Sequence, residues 1–145
     1  MTTAISSDEE TTITRELVPE HRRADVADAH FGIAYPLQLE PMVFAFASRL
    51  SQTYSGSYWT MYELSNGGYL MVPDEDGAFA MRCENGYEGS MTADAFGVTV
   101  LLYALSHGSF VADPQTADVY ARHYHLLRYF AAEHAEAAAI FAAID

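Results

Sequence analysis

The sequence contains no lysine, only one cysteine and no long apolar segment. All seven basic residues of the 145-residue chain are arginines. The single cysteine, Cys83, excludes an internal disulfide framework. No apolar run approaches the roughly 18 residues that span a membrane, and the N-terminal segment lacks the basic start and apolar core of a secretion signal. We therefore expect a soluble, cytoplasmic protein with no membrane partner.

Positive charge is scarce throughout the chain. Twenty acidic residues outnumber the seven arginines, which gives a formal net charge of −13 at pH 7. Because attraction to phosphate dominates nucleic-acid binding, we do not expect this chain to bind nucleic acid directly. Three explanations of the charge stay open: the acidic surface maintains solubility, binds a basic protein, or imitates DNA.

The first sixteen residues differ in composition from the rest of the chain. Residues 1–16 are rich in threonine, serine and acidic side chains and contain few large apolar groups. Because such a segment cannot form a packed core, we predict that residues 1–16 are a disordered acidic tail. Residues 17–145 have the length and apolar content of one folded domain.

The histidines and acidic turns do not match known metal-binding patterns. His123 and His125 are two positions apart, so on a helix they point about 200° away from each other. The acidic turn at residues 74–77 departs from a calcium-binding loop, because Val72 occupies one ligand position and Cys83 stands where the closing glutamate belongs. The sequence therefore predicts no metal site and no cofactor.

No set of residues forms a catalytic motif. Cys83 lies on a predicted strand with no helix N-terminus nearby to lower its pKa. Ser65 lacks the glycines of a nucleophile elbow, and residues 67–68 are not followed by the lysine of a phosphate-binding loop. Glu133 and Glu136 could form a carboxylate pair, although an exposed helix face explains them equally well. We therefore predict that the protein is not an enzyme.

The most distinctive segment is an aromatic hairpin. Residues 58–64 alternate as a strand does, with Tyr62 and Leu64 on the predicted core face and Trp59, Met61 and Glu63 on the opposite face. Ser-Asn-Gly-Gly at residues 65–68 is typical of a tight turn. Strands over 69–72 and 78–83 would complete a three-stranded antiparallel meander, followed by a loop over residues 84–90.

Helices are predicted on both sides of this meander. The pattern indicates one or two short helical turns over 18–32, a helix starting at Pro41, and a buried apolar helix over 96–108. From Pro114 onward, helical spacing predicts one long helix or two with a bend near residues 131–133. The expected fold is a single compact α+β domain with about four or more helices.

One edge of the hairpin is the candidate partner-binding surface. Its predicted members are an outward-facing aromatic side chain, a turn amide and three carboxylates: Trp59, Glu63, Asn66, Asp74 and Asp76. In a thin α+β domain, the face that carries Trp59 and Glu63 is either covered by another helix or open to a partner.

Several segments resemble the ArdB/KlcA family of antirestriction proteins. They occur in the family order: His30-Phe31-Gly32, residues 58–69 with Pro73-Asp74, residues 93–97, residues 124–136, and Ala143-Ile144-Asp145. The resemblance covers residues 17–145. It implies a compact α+β protein, carried by plasmids or other mobile elements, that has no cofactor and protects incoming DNA against type I restriction.

The resemblance leaves the mechanism open. The leading hypothesis is non-enzymatic inhibition of a host type I restriction–modification system through a protein contact, made directly or through a host factor. One alternative is a partial DNA mimic whose acidic patch competes with DNA for the restriction complex. Another is that the chain is a small enzyme whose reaction the sequence does not reveal.

Overall fold

The computed structural model describes residues 12–145, which form five α-helices and two small antiparallel sheets. The helices are α1 (Arg23–Phe31), α2 (Glu40–Leu50), α3 (Ala93–Val111), α4 (Pro114–Ala132) and α5 (Ala137–Ile144). The strands are β1 (Arg15–Leu17), β2 (Trp59–Leu64), β3 (Tyr69–Pro73), β4 (Ala78–Arg82) and β5 (Glu88–Thr92). A short 3-10 turn (Glu20–Arg22) precedes α1, and a π-helical turn (Tyr35–Leu39) precedes α2. The predicted α+β class is confirmed.

Helix α3 is the centre of the core. It is apolar on nearly every side, and β3, α2, α4 and α5 all pack against it. At its start the Thr92 hydroxyl accepts a hydrogen bond from the Ala95 amide at 3.3 Å, as an N-cap does. No continuous apolar run of membrane-spanning length was expected, yet by length and composition this helix is long and apolar enough to cross a membrane. However, 61% of that segment is buried inside the domain, as expected of a core helix.

The hairpin lies in a three-stranded antiparallel sheet with the order β1-β2-β3. A sheet of this size and type was predicted, but its third strand is β1 rather than the segment after the acidic turn. That segment, β4, pairs instead with β5 as a second hairpin, where the sequence predicted a loop over residues 84–90. The turn is closed by the Cys83 amide, which donates to the Tyr87 carbonyl at 2.9 Å, and Gly86 supplies the required positive φ of 97°.

The folded domain begins several residues earlier than the predicted boundary at residue 17. Residues 1–11 lie outside the described part of the chain, so the predicted disorder there stays a prediction. Residues 15–16 belong to β1, and Arg15 pairs with Leu64 of β2. The Arg15 guanidinium also donates to the Asp94 carboxylate at 2.7 and 2.9 Å, and this charged contact fixes a segment whose composition alone predicts disorder.

The predicted core face of β2 is also wrong. Trp59 and Met61 are buried, with 3% and 2% of their surface exposed, whereas Tyr58 is 55% exposed and Tyr62 is half-buried. Alternation separates the two faces of a strand but does not show which of them meets the core. Leu64 is buried as predicted, at the end of the strand beside the turn.

The predicted helices are confirmed. Residues 18–32 form the 3-10 turn and α1, and the C-terminal region is two helices, α4 and α5, with the break at residues 133–136. The Asp113 carboxylate caps α4 by accepting from the Thr116 amide at 3.2 Å. The π-helical turn was not predicted, because it has no distinct sequence pattern.

Candidate functional site

Trp59 is not available to a partner. Its indole nitrogen donates to the Tyr54 hydroxyl at 3.0 Å, and its ring lies between Tyr54, Phe44 and Phe96 at centroid distances of 6.0, 5.8 and 6.4 Å. The prediction that Trp59 faces outward is therefore wrong. A buried indole with its only donor satisfied stabilises the core and cannot bind a second protein.

Asn66 has a structural role at the tip of the hairpin. Its side-chain oxygen accepts from the Gly68 amide at 3.0 Å, and its side-chain nitrogen donates to the Leu126 carbonyl of α4 at 2.9 Å. Gly67 supplies the positive φ of 92° that the turn requires. Both polar groups of this amide therefore hold the turn against α4.

Glu63 joins the sheet to a pair of histidines. Its carboxylate lies 2.8 Å from the Nε2 atom of His30, whose ring meets the ring of His123 edge-on at 5.0 Å. His123 is 1% exposed, and neither of its ring nitrogens has a hydrogen-bond partner among the described residues. Burial, together with the nearby charges of His30 and Arg122, lowers the pKa of His123 to about 3. His123 is therefore neutral in the folded protein.

Asp74 and Asp76 are exposed, as predicted for a contact surface. They follow β3 in the acidic turn, and the Asp74 amide donates to the Tyr58 carbonyl at 2.7 Å. The Tyr58 ring is held by Arg23, whose guanidinium lies 5.1 Å from the ring centroid and donates to the Trp59 carbonyl at 2.6 Å. The acidic turn and an exposed, fixed tyrosine therefore share one edge of the molecule.

A second polar cluster was missed by sequence reasoning. Arg15 and His134 both bind the Asp94 carboxylate, with the His134 Nε2 atom at 2.7 Å. Burial raises the pKa of Asp94, but the hydrogen bonds from Arg15 and His134 outweigh it and hold that pKa well below its usual range. These contacts join β1, the start of α3 and the α4–α5 break. The sequence pointed to Glu133 and Glu136 as a possible carboxylate pair, and the resemblance included residues 93–97 and 124–136, but neither predicted these contacts.

This cluster is not arranged for acid–base catalysis. The Nδ1 atom of His134 accepts from the Glu136 amide at 2.9 Å, so Nε2 carries the proton that it donates to Asp94. Both ring nitrogens are thus used by the fold, and no acceptor position is left for a substrate proton. Glu136 accepts from the Thr92 amide at 3.1 Å, and Glu133 from the Ile13 amide at 2.9 Å, so the two carboxylates serve different segments.

Cys83 is buried, with 5% of its surface exposed, and this burial raises the pKa of its thiol. It is therefore not poised as a nucleophile. Within residues 12–145, no group of three or more histidine, cysteine, aspartate or glutamate side chains is arranged to hold a metal ion. The polar clusters that the structure does contain connect segments of the fold.

Comparison with known proteins identifies the family. The family model for antirestriction proteins matches residues 52–145. The chain belongs to the antirestriction protein family. Two proteins named antirestriction protein KlcA, both from Escherichia coli, are 39% identical over 135 residues and 43% identical over 132 residues. The first alignment covers 92% of this chain and 95% of the relative, and the second covers 88% and 90%.

The fold is also that of the family. A solved structure from work on the KlcA and ArdB proteins matches with a TM-score of 0.84 and 41% identity, covering 92% of this chain and 95% of that one. Those proteins are described as showing a novel fold and antirestriction activity against type I DNA restriction systems in vivo but not in vitro. The antirestriction family and fold expected from the sequence are therefore confirmed.

Proposed function

We propose that this chain is a cytoplasmic, non-enzymatic antirestriction protein that protects incoming mobile-element DNA against host type I restriction–modification systems. The observation that carries the proposal is the match to the KlcA and ArdB structure along nearly the whole of both chains at 41% identity. At that similarity, the shared fold and the shared family model favour a shared activity.

We infer that the activity depends on a protein contact made inside the cell. The matched proteins are active in vivo but not in vitro, which favours a route through a component that purified reactions lack. The chain then reaches the restriction–modification system through a host factor. Alternatively, it binds a state of that system that exists only in cells. Of the candidate partner-binding residues, Asp74 and Asp76 remain the exposed members that such a contact can use.

The distribution of charge argues against imitation of DNA as the main mechanism. A compact chain of this length is about 38 Å across. Duplex DNA of that length carries about 22 phosphate charges. The chain has twenty acidic residues for its whole surface, and several bind within the fold, as Asp94 does to Arg15 and Glu63 does to His30. One face therefore presents well below the charge density of DNA.

The engaged polar clusters support a non-enzymatic role. His134 has both ring nitrogens occupied, His123 is buried, and Cys83 is buried with a raised thiol pKa. A general base or nucleophile needs an open position within hydrogen-bond reach of a substrate, and these side chains do not offer one.

Expression of the chain is expected to raise the plating efficiency of unmodified phage on a host with a type I system. On a host with a type II enzyme, plating should not change, because a nuclease that cuts at a short site does not use the type I translocating machinery. The comparison is between cells with the chain and cells with empty vector, measured in hosts that differ only in the restriction system. Unchanged plating across several type I families would contradict the proposal.

A further inference from the structure

A cleft opens between α1 and the π-helical turn. Its volume of about 330 Å³ lies at the lower end of the ~300–1,000 Å³ range of ligand pockets. Its lining is mostly apolar. Ala27, Tyr35 and Met61 are buried and form its floor. Gly32, at φ 63°, ends α1 and also lines the cleft.

Exposed apolar side chains extend the cleft on the surface. Ile33 lies on its rim, and Leu37 follows one helical turn later, with its amide donating to the Ile33 carbonyl at 3.3 Å. Each of the two is 70% exposed. Tyr58, which is 55% exposed, is linked to the opposite rim through Arg23. An apolar cleft with exposed apolar side chains beside it marks a binding site more often than single exposed residues do.

The charged groups around the cleft are mainly negative. Asp28 and Glu40 line it, and the Asp28 carboxylate makes no hydrogen bond or ion pair with any residue in 12–145. Glu20 lies 3.5 Å from the Tyr58 hydroxyl, and the amide of Asp74 donates to the Tyr58 carbonyl. Among the described residues, Arg23 is the one cation that lines the cleft, and it donates to the Trp59 carbonyl and the Tyr58 hydroxyl, two neutral groups that leave its charge in place. Asp28 and Glu40 thus set two negative charges against one positive charge in the lining.

We propose that this cleft binds a basic segment of a protein partner that inserts an apolar side chain between α1 and the π-helical turn. The inserted side chain contacts the apolar floor, and arginine or lysine side chains on either side pair with the carboxylates of Asp28 and Glu40. Anchoring by one buried apolar group inside a polar rim is the usual arrangement of an interface hot spot. The inference deepens the proposed function, because it names the surface and the chemistry of the contact on which protection depends.

The occupant follows from charge and shape. A nucleic acid is excluded by the carboxylates of the rim, which repel phosphate. A small apolar ligand fits the floor of the cleft but leaves the exposed side chains of Ile33, Leu37 and Tyr58 uncovered. A basic, apolar segment covers these side chains and complements the carboxylates at the same time.

The test uses three labelled synthetic peptides and the full chain. The first peptide has leucines flanked by arginines, the second has glutamates in place of the arginines, and the third has alanines in place of the leucines. The variants are Ile33→Asp and Asp28→Lys. Their controls are Phe110→Asp, which changes an 85% exposed apolar residue elsewhere, and Asp118→Lys on α4. Binding is measured by fluorescence anisotropy, and thermal melts check that each variant folds.

The arginine–leucine peptide is expected to bind the wild-type chain, and the other two peptides at least about tenfold more weakly. Ile33→Asp and Asp28→Lys should each lower the affinity by a similar factor, while the two controls bind as the wild type does. Equal binding of all three peptides, no binding by the wild type, or wild-type affinity in Ile33→Asp would each overturn the inference.

Plating assays with the same variants separate this inference from the proposed function. Protection by the wild type that is lost in Ile33→Asp and retained in Phe110→Asp supports both. Full protection by a stably folded Ile33→Asp chain overturns the role of the cleft and leaves the antirestriction function standing. No protection by the wild type contradicts the function itself.

Discussion

A Gly97→Ala variant is expected to lose about 3 kcal/mol or more of its free energy of unfolding. Gly97 is buried on α3, where this helix packs directly on β3. A Cβ atom added there would lie 2.5 Å from the Val72 Cγ1 atom, 2.6 Å from the Val72 Cα atom and 2.7 Å from the Met71 carbonyl oxygen. Two of these three atoms belong to the backbone, so relief requires a helix and a strand to separate.

The expected loss of stability is informative because helix propensity alone predicts that Gly97→Ala would stabilise the protein. Alanine favours a helix over glycine by about 1 kcal/mol, so an uncrowded site would be stabilised by the same change. Denaturant unfolding at neutral pH, followed by the fluorescence of the buried Trp59, measures the difference. Ser109→Ala, near the far end of the same helix, is the matched control and should change stability by about 0.5 kcal/mol or less. A Gly97→Ala chain as stable as the wild type would contradict the close packing of α3 on β3.

The stability of the protein is expected to fall by about 2 kcal/mol between pH 6.5 and pH 5, chiefly because of His123. The pKa of His123 is lowered to about 3 in the folded chain, whereas the unfolded chain has the ordinary value near 6.5. Between these values the unfolded state binds the proton and the folded state does not. Neutral His123 therefore contributes its stability fully above pH 6.5, and this contribution is lost progressively as the pH falls toward 3.

Substitution of His123 isolates this effect. His123→Leu keeps an apolar side chain in the buried site and removes two ring nitrogens that have no hydrogen-bond partner among the described residues. The variant should be at least as stable as the wild type at pH 7, since unsatisfied buried polar groups cost about 1–3 kcal/mol. The free energy of unfolding of this variant should also fall much less than that of the wild type between pH 6.5 and pH 5. Asp94, whose lowered pKa lies further in acid, does not contribute in that interval.

The matched control for this variant is two positions along the same helix. His125 is exposed, and His125→Leu should leave the wild-type pH dependence unchanged. Urea unfolding at pH 7, 6 and 5 measures the free energy for all three chains. An equal decline in the wild type and His123→Leu would show that another group titrates and would contradict the buried, neutral state of His123.

Local patterns were sufficient to predict much of the fold. Alternation and the turn residues predicted the β2–β3 hairpin, and helical spacing predicted the apolar helix α3 and the C-terminal helices. The side of β2 that meets the core was predicted wrongly, because both faces carry aromatic side chains and alternation alone does not distinguish them. Strand β5 was missed because Glu88, Gly89 and Ser90 have low strand propensity and pair through the backbone of β4.

The candidate surface was predicted only in part. The two exposed carboxylates, Asp74 and Asp76, are where the turn pattern placed them. Trp59 is buried, Asn66 holds the turn, and Glu63 binds His30, because each of these side chains meets a segment distant in sequence. Met61 and Ile33, which are distant in sequence, line the same cleft beside α1, and no pattern within either segment predicts that arrangement.

The most direct measurement of the central claim, that protection depends on a protein contact and not on imitation of DNA, is a displacement experiment. Unmodified duplex DNA is bound to a purified type I restriction complex, and the purified chain is added at low and at moderate salt. The added chain is purified from cells in which it protects phage DNA. The account predicts that the amount of bound duplex stays constant at both salt concentrations. Displacement of the duplex that weakens steeply with added salt would contradict it, because that result is the mark of competition for a phosphate-binding groove.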